Sequence, residues 1–151
     1  MWLKMALVEK SVLLKRSAQQ MFSLVDRVED YPQFLPWCSK TQVEFRDERK
    51  TVATLHINYR GIKSHFTTSN DKEFPERMRI MLVDGPFRRL EGEWSFRMLS
   101  EDACKVQLCL AYDFSSRMFE KIIGPVFSQI SNSFVEAFVK RAEEVYGESN
   151  V

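Results

Sequence analysis

Few residues in this chain could make or break bonds, and their spacing argues against each in turn. There are two histidines, His56 and His65, and three cysteines, Cys38, Cys104 and Cys109. Two imidazoles with no third ligand or nearby carboxylate fall short of a metal site. Cys38 lies beside Trp37, where a free cysteine reads as a small buried hydrophobe rather than a nucleophile. Glu91 and Glu93 share one face of a strand, as a catalytic carboxylate pair could, but that face is expected to be the outer one. No catalytic residue and no metal ligand is therefore assigned, and the expected activity is non-covalent binding.

What the chain does hold in quantity is aromatic surface, with 12 Phe, 4 Tyr and 3 Trp. Phe34, Trp37, Tyr59, Phe66, Phe87, Trp94, Phe96, Tyr112, Phe114, Phe127, Ile130 and Phe134, with Leu82 and Ser64, are expected to face one interior. Such an interior either packs solid or holds an apolar ligand. Tyr59, Tyr112 and Ser64 are the inward polar groups expected to meet a ligand's oxygens. An empty hollow of about 300 Å³ would cost roughly 7 kcal/mol, comparable to the stability of a whole domain, so it must be filled or collapsed. Each five-carbon isoprenoid unit buried there would contribute on the order of 4 kcal/mol.

The elements that position these side chains follow from periodicity. Phe119, Ile122, Ile123, Val126, Phe127, Ile130, Phe134, Phe138, Ala142, Val145 and Tyr146 recur at helical spacing and predict a long C-terminal helix gripping a sheet. Gly124-Pro125 predicts a kink or restart, with Pro125 as a first helical position and Gly147 as the closing cap. Residues 6–15 read as a first strand, and Ser17 to Gln20 matches a capping box opening a short helix. Tyr31-Pro32 and Leu35-Pro36 predict a loop or one broken turn.

From Gln42 the period becomes two. A tight turn at Arg60-Gly61 would set Lys50 opposite Asp71, Thr54 opposite Thr67 and His56 opposite His65. Arginine suits a turn of positive φ poorly, so a longer loop with another register stays open. Met78, Ile80 and Leu82 predict a further strand. A three-residue loop at Glu101 to Ala103 would then set Leu90, Trp94, Phe96 and Met98 opposite Phe114, Leu110, Leu108 and Val106, with Gly92 facing Tyr112.

Length and charge bound the rest. The 151 residues suit one α+β domain, expected over residues 5–147. The 22 basic and 21 acidic side chains nearly cancel, which gives no field for DNA and leaves only local basic clusters for RNA. Arg77, Arg79, Arg88 and Arg89 form one such cluster, Lys140 and Arg141 another. An odd cysteine count without CxxC, no leader-like apolar run near the N-terminus and no membrane-length stretch point to the cytoplasm.

Three separated strings carry a resemblance: YPQFLPWC at residues 31–38, LVDGPFRRLEGEWSF at 82–96, and VEAFVKRAEEVYG closing at 147. Together they resemble the family of ribosome-association toxins (RatA) and mitochondrial coenzyme Q-binding proteins, over nearly the whole chain. The resemblance implies a START-like helix-grip fold, in which a strongly curved antiparallel sheet wraps a long C-terminal helix around a lipid-sized cavity. Curvature is the one part that alternation alone does not supply. It also implies two roles: binding ubiquinone or a related isoprenoid lipid in support of respiration, or binding the large ribosomal subunit to block subunit joining. The wider superfamily includes polyketide cyclases, which keeps an enzymatic alternative open. The expected partner is a hydrophobic small molecule or lipid, with transient contact at a membrane surface. The large ribosomal subunit is the alternative, reached through Arg77, Arg79, Arg88 and Arg89.

Overall fold

The computed structural model describes residues 5–147, so the first four residues, part of the segment read above for a leader, lie outside the described residues. The elements in chain order are β1 (Ala6–Leu14), α1 (Ala18–Asp26), a 3-10 helix (Val28–Gln33), β2 (Cys38–Arg46), β3 (Lys50–Tyr59), β4 (Ile62–Glu73), β5 (Arg77–Asp84), β6 (Phe87–Ser100), β7 (Ala103–Phe114) and α2 (Arg117–Tyr146). All strands join one antiparallel sheet in the order β1-β7-β6-β5-β4-β3-β2, and β1 crosses over to pair with the last strand. The sheet curves around α2, the helix-grip arrangement expected from the sequence. Register shifts in β2 at Cys38/Lys40 and Val43/Phe45, and in β6 at Phe87/Arg89 and Met98/Ser100, supply bends. Extra residues of this kind bend a strand and sharpen its twist.

Local chemistry explains the ends of the helices. In α1 the Ser17 hydroxyl accepts from the Gln20 amide at 3.1 Å, and the Gln20 side chain accepts from the Ser17 amide at 3.1 Å, completing the capping box. Met21, Phe22, Leu24 and Val25 turn inward. The segment holding Tyr31-Pro32, expected as a loop or broken turn, is a six-residue 3-10 helix with Pro32 inside it. Tyr31 anchors it by donating its hydroxyl to the Val25 carbonyl at 2.5 Å. At the start of α2 the Ser116 hydroxyl accepts from the Phe119 amide at 3.1 Å, and Gly147 ends the helix at φ 84°.

The β3–β4 hairpin has the expected register throughout, including Lys50 with Asp71, Thr54 with Thr67 and His56 with His65. Its two-residue turn places Arg60 at φ 52° and Gly61 at φ 81°, so an arginine does occupy the left-handed position. The strand pairs on either side hold it there.

Four expectations are corrected. The β6–β7 hairpin closes through two residues, Glu101 and Asp102, and the irregularity between Met98 and Ser100 moves the pairing one further step, so Leu90 faces Tyr112, Trp94 faces Leu108, Phe96 faces Val106 and Met98 faces Cys104. Gly92 consequently faces Leu110 rather than Tyr112. The Ser100 hydroxyl donates to Asp102 Oδ1 at 2.9 Å and helps to shorten the turn. The second correction is that α2 does not restart with Pro125 as a first helical position but runs through Gly124-Pro125 as one 30-residue helix. A proline inside a helix costs about 3 kcal/mol, and burial of Ile123, Val126 and Phe127 around it offsets that locally. Third, Ile122 and Val145 of the expected stripe are exposed, because the sheet covers a narrower arc of the helix than the apolar spacing spans. Fourth, Met98 is exposed, since it lies at the bulge that ends the inward alternation of β6.

Candidate functional site

Between the concave side of the sheet and α2 lies a cavity of about 80 Å³. Its walls come from Val28, Tyr31 and Trp37 on the connecting segment, from Ala53, Leu55, Phe66, Thr68, Asn70, Ile80, Leu90, Trp94, Leu108 and Leu110 on the strands, and from Phe127, Ile130, Ser131 and Phe134 on α2. The hollow has therefore largely collapsed onto the protein's own side chains. It is about half the size of a cavity that admits benzene, near 150 Å³.

Six of the expected lining residues reach this cavity: Trp37, Phe66, Trp94, Phe127, Ile130 and Phe134. The others serve the walls around it. Phe87 stacks on Phe114 with ring centroids 5.0 Å apart, and both, with Tyr112, pack edge-on against Phe127, plugging the end of the interior near the start of α2. Phe96 stacks on Trp94 and also meets Phe22. Phe34 packs against Tyr31 and Phe138, with the Arg141 guanidinium 5.1 Å over its ring. Leu82 and Ser64 are half-buried beside the cavity without lining it.

The polar groups differ most from expectation. Tyr59, Tyr112 and Ser64 do not line the cavity, whereas Tyr31, Thr68, Asn70 and Ser131 do. Asn70 extends the inward alternation of β4 two residues past Thr68. That same alternation, continued further along the strand, would have found it in the sequence. Ser131 sits on the inner face of α2 and donates to the Phe127 carbonyl at 2.9 Å. Among the described residues no acid, histidine, lysine or arginine lines the cavity. Its one ionisable group, the Tyr31 phenol, is pushed up by burial and stays protonated.

A second hollow of about 250 Å³ lies outside the first, lined by Leu35, Pro36, Trp37, Tyr59, Gln129, Ile130, Ser133, Glu136, Ala137 and Lys140. Trp37 and Ile130 border both hollows, so these two side chains form the partition. Tyr59 stands at the outer recess, where its hydroxyl accepts from Gln129 Nε2 at 3.2 Å.

The candidate catalytic groups are placed elsewhere. His56 and His65 stack at 5.5 Å on the outer face, and burial, then the charges of Lys40 and His65, push the His56 imidazole down. Cys38 is buried, and burial pushes its thiol up to about 11, which keeps it from ionising at neutral pH. Glu91 and Glu93 sit on the outer face, engaged with Arg89 and Arg77. Among the described residues no group of three or more His, Cys, Asp or Glu is placed to hold a metal ion.

The basic cluster is largely neutralised. Arg77 meets Glu73 and Glu93, Arg88 meets the buried Asp113, and Arg89 meets Glu91, while Arg79 is exposed opposite Asp71 and Glu93. In the second cluster Arg141 donates to Gln33 at 2.9 Å and pairs with Glu144 at 3.9 Å. A separate ion cluster that sequence reading missed ties α1 to the sheet. Asp26 accepts from Lys72 at 3.0 Å and from Thr51 at 2.8 Å, and the two oxygens of Glu29 accept from Arg46 at 2.7 and 3.0 Å. Lys72 lies on the inner side of β4, where a buried ammonium needs such a partner. Among the described residues no helix is long and apolar enough to cross a membrane.

Comparison with known proteins agrees with this architecture. The family model for "Polyketide cyclase / dehydrase and lipid transport" matches residues 14–139. The ribosome association toxin RatA of Vibrio cholerae is 45% identical over 141 residues, covering 93% of this chain and 98% of that protein. The mitochondrial coenzyme Q-binding protein COQ10 homolog B of Xenopus laevis is 27% identical over 94% of this chain, which spans 60% of that protein's length. In three dimensions the Zhui aromatase/cyclase of Streptomyces sp. R1128 superposes with a TM-score of 0.77 at 17% identity, covering 93% of this chain and 94% of that one, a likeness of fold alone. With the family model spanning most of the chain and a relative this similar over its whole length, the chain belongs to the polyketide cyclase / dehydrase and lipid transport family, among the relatives of the ribosome association toxins.

Proposed function

We propose that this protein binds a hydrophobic, ring-bearing ligand, a quinone with an isoprenoid tail, between its sheet and α2, and that it does so without catalysing a reaction. The observation that carries this reading is the pair of hollows that share Trp37 and Ile130 as a common wall. The outer recess alone falls short of the roughly 300 Å³ at which ligand pockets begin, and the inner cavity makes up the difference once the partition moves. A swing of the Trp37 indole would join them, with the ring seated inside and the tail running along α2. Each isoprenoid unit covered contributes on the order of 4 kcal/mol, so two units give useful affinity even after the cost of moving side chains. The lining named above, an amide, aliphatic hydroxyls, aromatic rings and the Tyr31 phenol that burial keeps protonated, includes no carboxylate, imidazole or amine, which supports carriage over cyclisation. The relative called coenzyme Q-binding favours the same ligand class. The reading places the protein in the cytoplasm, touching membranes transiently to exchange its cargo.

The test is solvent extraction of the purified protein followed by mass spectrometry. An isoprenoid quinone in stoichiometric amount is expected. Extracts free of prenylated molecules, together with no uptake of added quinone, overturn the proposal. A second reading, association with the large ribosomal subunit, is favoured by the 45% identity to a protein named as a ribosome association toxin. Its test is sedimentation with large subunits. Loss of cosedimentation on Arg88→Glu with Arg89→Glu supports that role, and no cosedimentation of the unaltered protein removes it.

A further inference from the structure

Asn70 carries a buried carbonyl oxygen that accepts no hydrogen bond, and it does so on the wall of the inner cavity. An unpaired buried acceptor loses its hydration with no return, so a group like this either strains the fold or awaits a donor. The amide orientation follows from its one contact. Its NH₂ group points at the Met78 thioether, 3.6 Å away, and sulfur can only accept. Turning the amide over would bring oxygen against sulfur, lone pair against lone pair, and leave both ends worse paired.

The neighbours named here do not supply the missing proton. Thr51, opposite Asn70 on β3, donates its hydroxyl to Asp26, and across the cavity the hydroxyls of Tyr31 and Ser131 donate to the Val25 and Phe127 carbonyls. Each of these protons is committed, and the hydroxyl of Thr68, which shares the cavity wall, is not bonded to Asn70. The cavity therefore presents Asn70 Oδ1 as a wholly unpaired acceptor to whatever enters it, beside the Thr68 hydroxyl, which can donate or accept. We infer that Asn70 makes the cavity selective for ligands whose ring bears a hydroxyl, a phenol or hydroquinone, over the same skeleton bearing only carbonyl or ether oxygens. The inference rests on the cavity-binding reading above and deepens it: a quinone carbonyl would meet Asn70 acceptor to acceptor, whereas the two-electron-reduced ring would donate to it.

The experiment uses the full chain and one probe in two oxidation states, a decyl-substituted benzoquinone and its hydroquinone, titrated anaerobically by calorimetry. The hydroquinone is expected to bind about 10-fold more tightly, the ratio that one well-made buried hydrogen bond gives. Asn70→Leu, matched in branching and unable to accept, should bring the affinities of the two forms to within about twofold of each other. On the unaltered protein, the ¹³Cγ resonance of Asn70 should shift with hydroquinone and not with quinone, a readout that does not depend on any variant folding. Equal or reversed affinity of the two forms, a ratio unchanged in Asn70→Leu, or an unmoved ¹³Cγ signal at saturation would each overturn the donor preference while leaving cavity binding in place. Binding of neither form by the unaltered protein removes this inference and the carrier proposal together.

Discussion

Filling the inner cavity from the protein's own side should raise stability and remove binding at once. Ala53 is buried on the inner face of β3, opposite Thr68, and its methyl group forms part of the cavity wall. Ala53→Leu extends three carbons into a space of about 80 Å³. Burial at about 0.8 kcal/mol per carbon predicts a gain near 2.4 kcal/mol. Removing an empty volume of that size, at about 24 cal/mol per Å³, predicts close to 2 kcal/mol, so two routes converge. For a chain of 151 residues, each kcal/mol moves the midpoint by about 2–4 °C, so the melt should rise by about 4–8 °C. Circular dichroism melts give the first readout, and titration with a short-chain quinone gives the second. Higher Tm with binding weakened at least tenfold is the expected pair. A lower Tm would mean that the side chain cannot enter and overpacks the interior, an error of about 1–3 kcal/mol in the reasoning. A higher Tm with unchanged affinity would mean that the ligand binds somewhere other than this cavity.

Two further predictions concern the walls and the pH response. A Cβ added at Gly92 would stand 2.4 Å from the Cys109 carbonyl oxygen and 3.2 Å from the Leu110 Cα, so Gly92→Ala must push apart the β6–β7 pair; urea unfolding should show a loss of about 2–3 kcal/mol, and a neutral result would refute that register. For Cys38, burial raises the folded thiol from an ordinary 9.0 to about 11, so the folded state holds its proton longer than the unfolded chain. The stabilisation it contributes is complete below pH 9 and fades as pH rises through 11. Unfolding curves between those limits should flatten in Cys38→Ala, and at pH 8 iodoacetamide should modify the exposed Cys109 well before Cys38.

The β3–β4 hairpin and the β6–β7 hairpin show where reading a strand pair from sequence works and where it stops. Alternation decides which face a residue takes, and both hairpins were right in that respect over most of their length. A slip of two residues leaves every face unchanged, so hydrophobic pattern cannot detect it. The turn decides the register instead, together with any bulge beside it, and in β6–β7 each supplies one step of the slip. At Arg60-Gly61 the glycine marked the turn, but at Glu101-Asp102 nothing apolar or glycine-like did, and a serine–aspartate contact shortened the loop. Helix α2 makes the same point about length, since Pro125 argues for a break in any isolated segment, and only packing against the sheet carries the helix through it.

Aromatic content and spacing by themselves determined that this chain builds a sheet gripped by a terminal helix, because burying that much apolar surface on 3.6-residue and two-residue periods admits few other solutions. The same residues could not reveal that Phe87, Tyr112 and Phe114 would spend themselves on one another, nor that Trp37 and Ile130 would divide the remaining space in two. Those outcomes depend on how far apart the curved strands and the helix come to rest. Inward direction is a local property of a strand or helix, whereas whether an inward side chain meets a neighbour or a void is a property of all the elements together. Asn70 stands at that boundary: its direction was written in the alternation of β4, and its missing partner follows from how the packed elements aim the hydroxyls of Thr51, Tyr31 and Ser131 elsewhere.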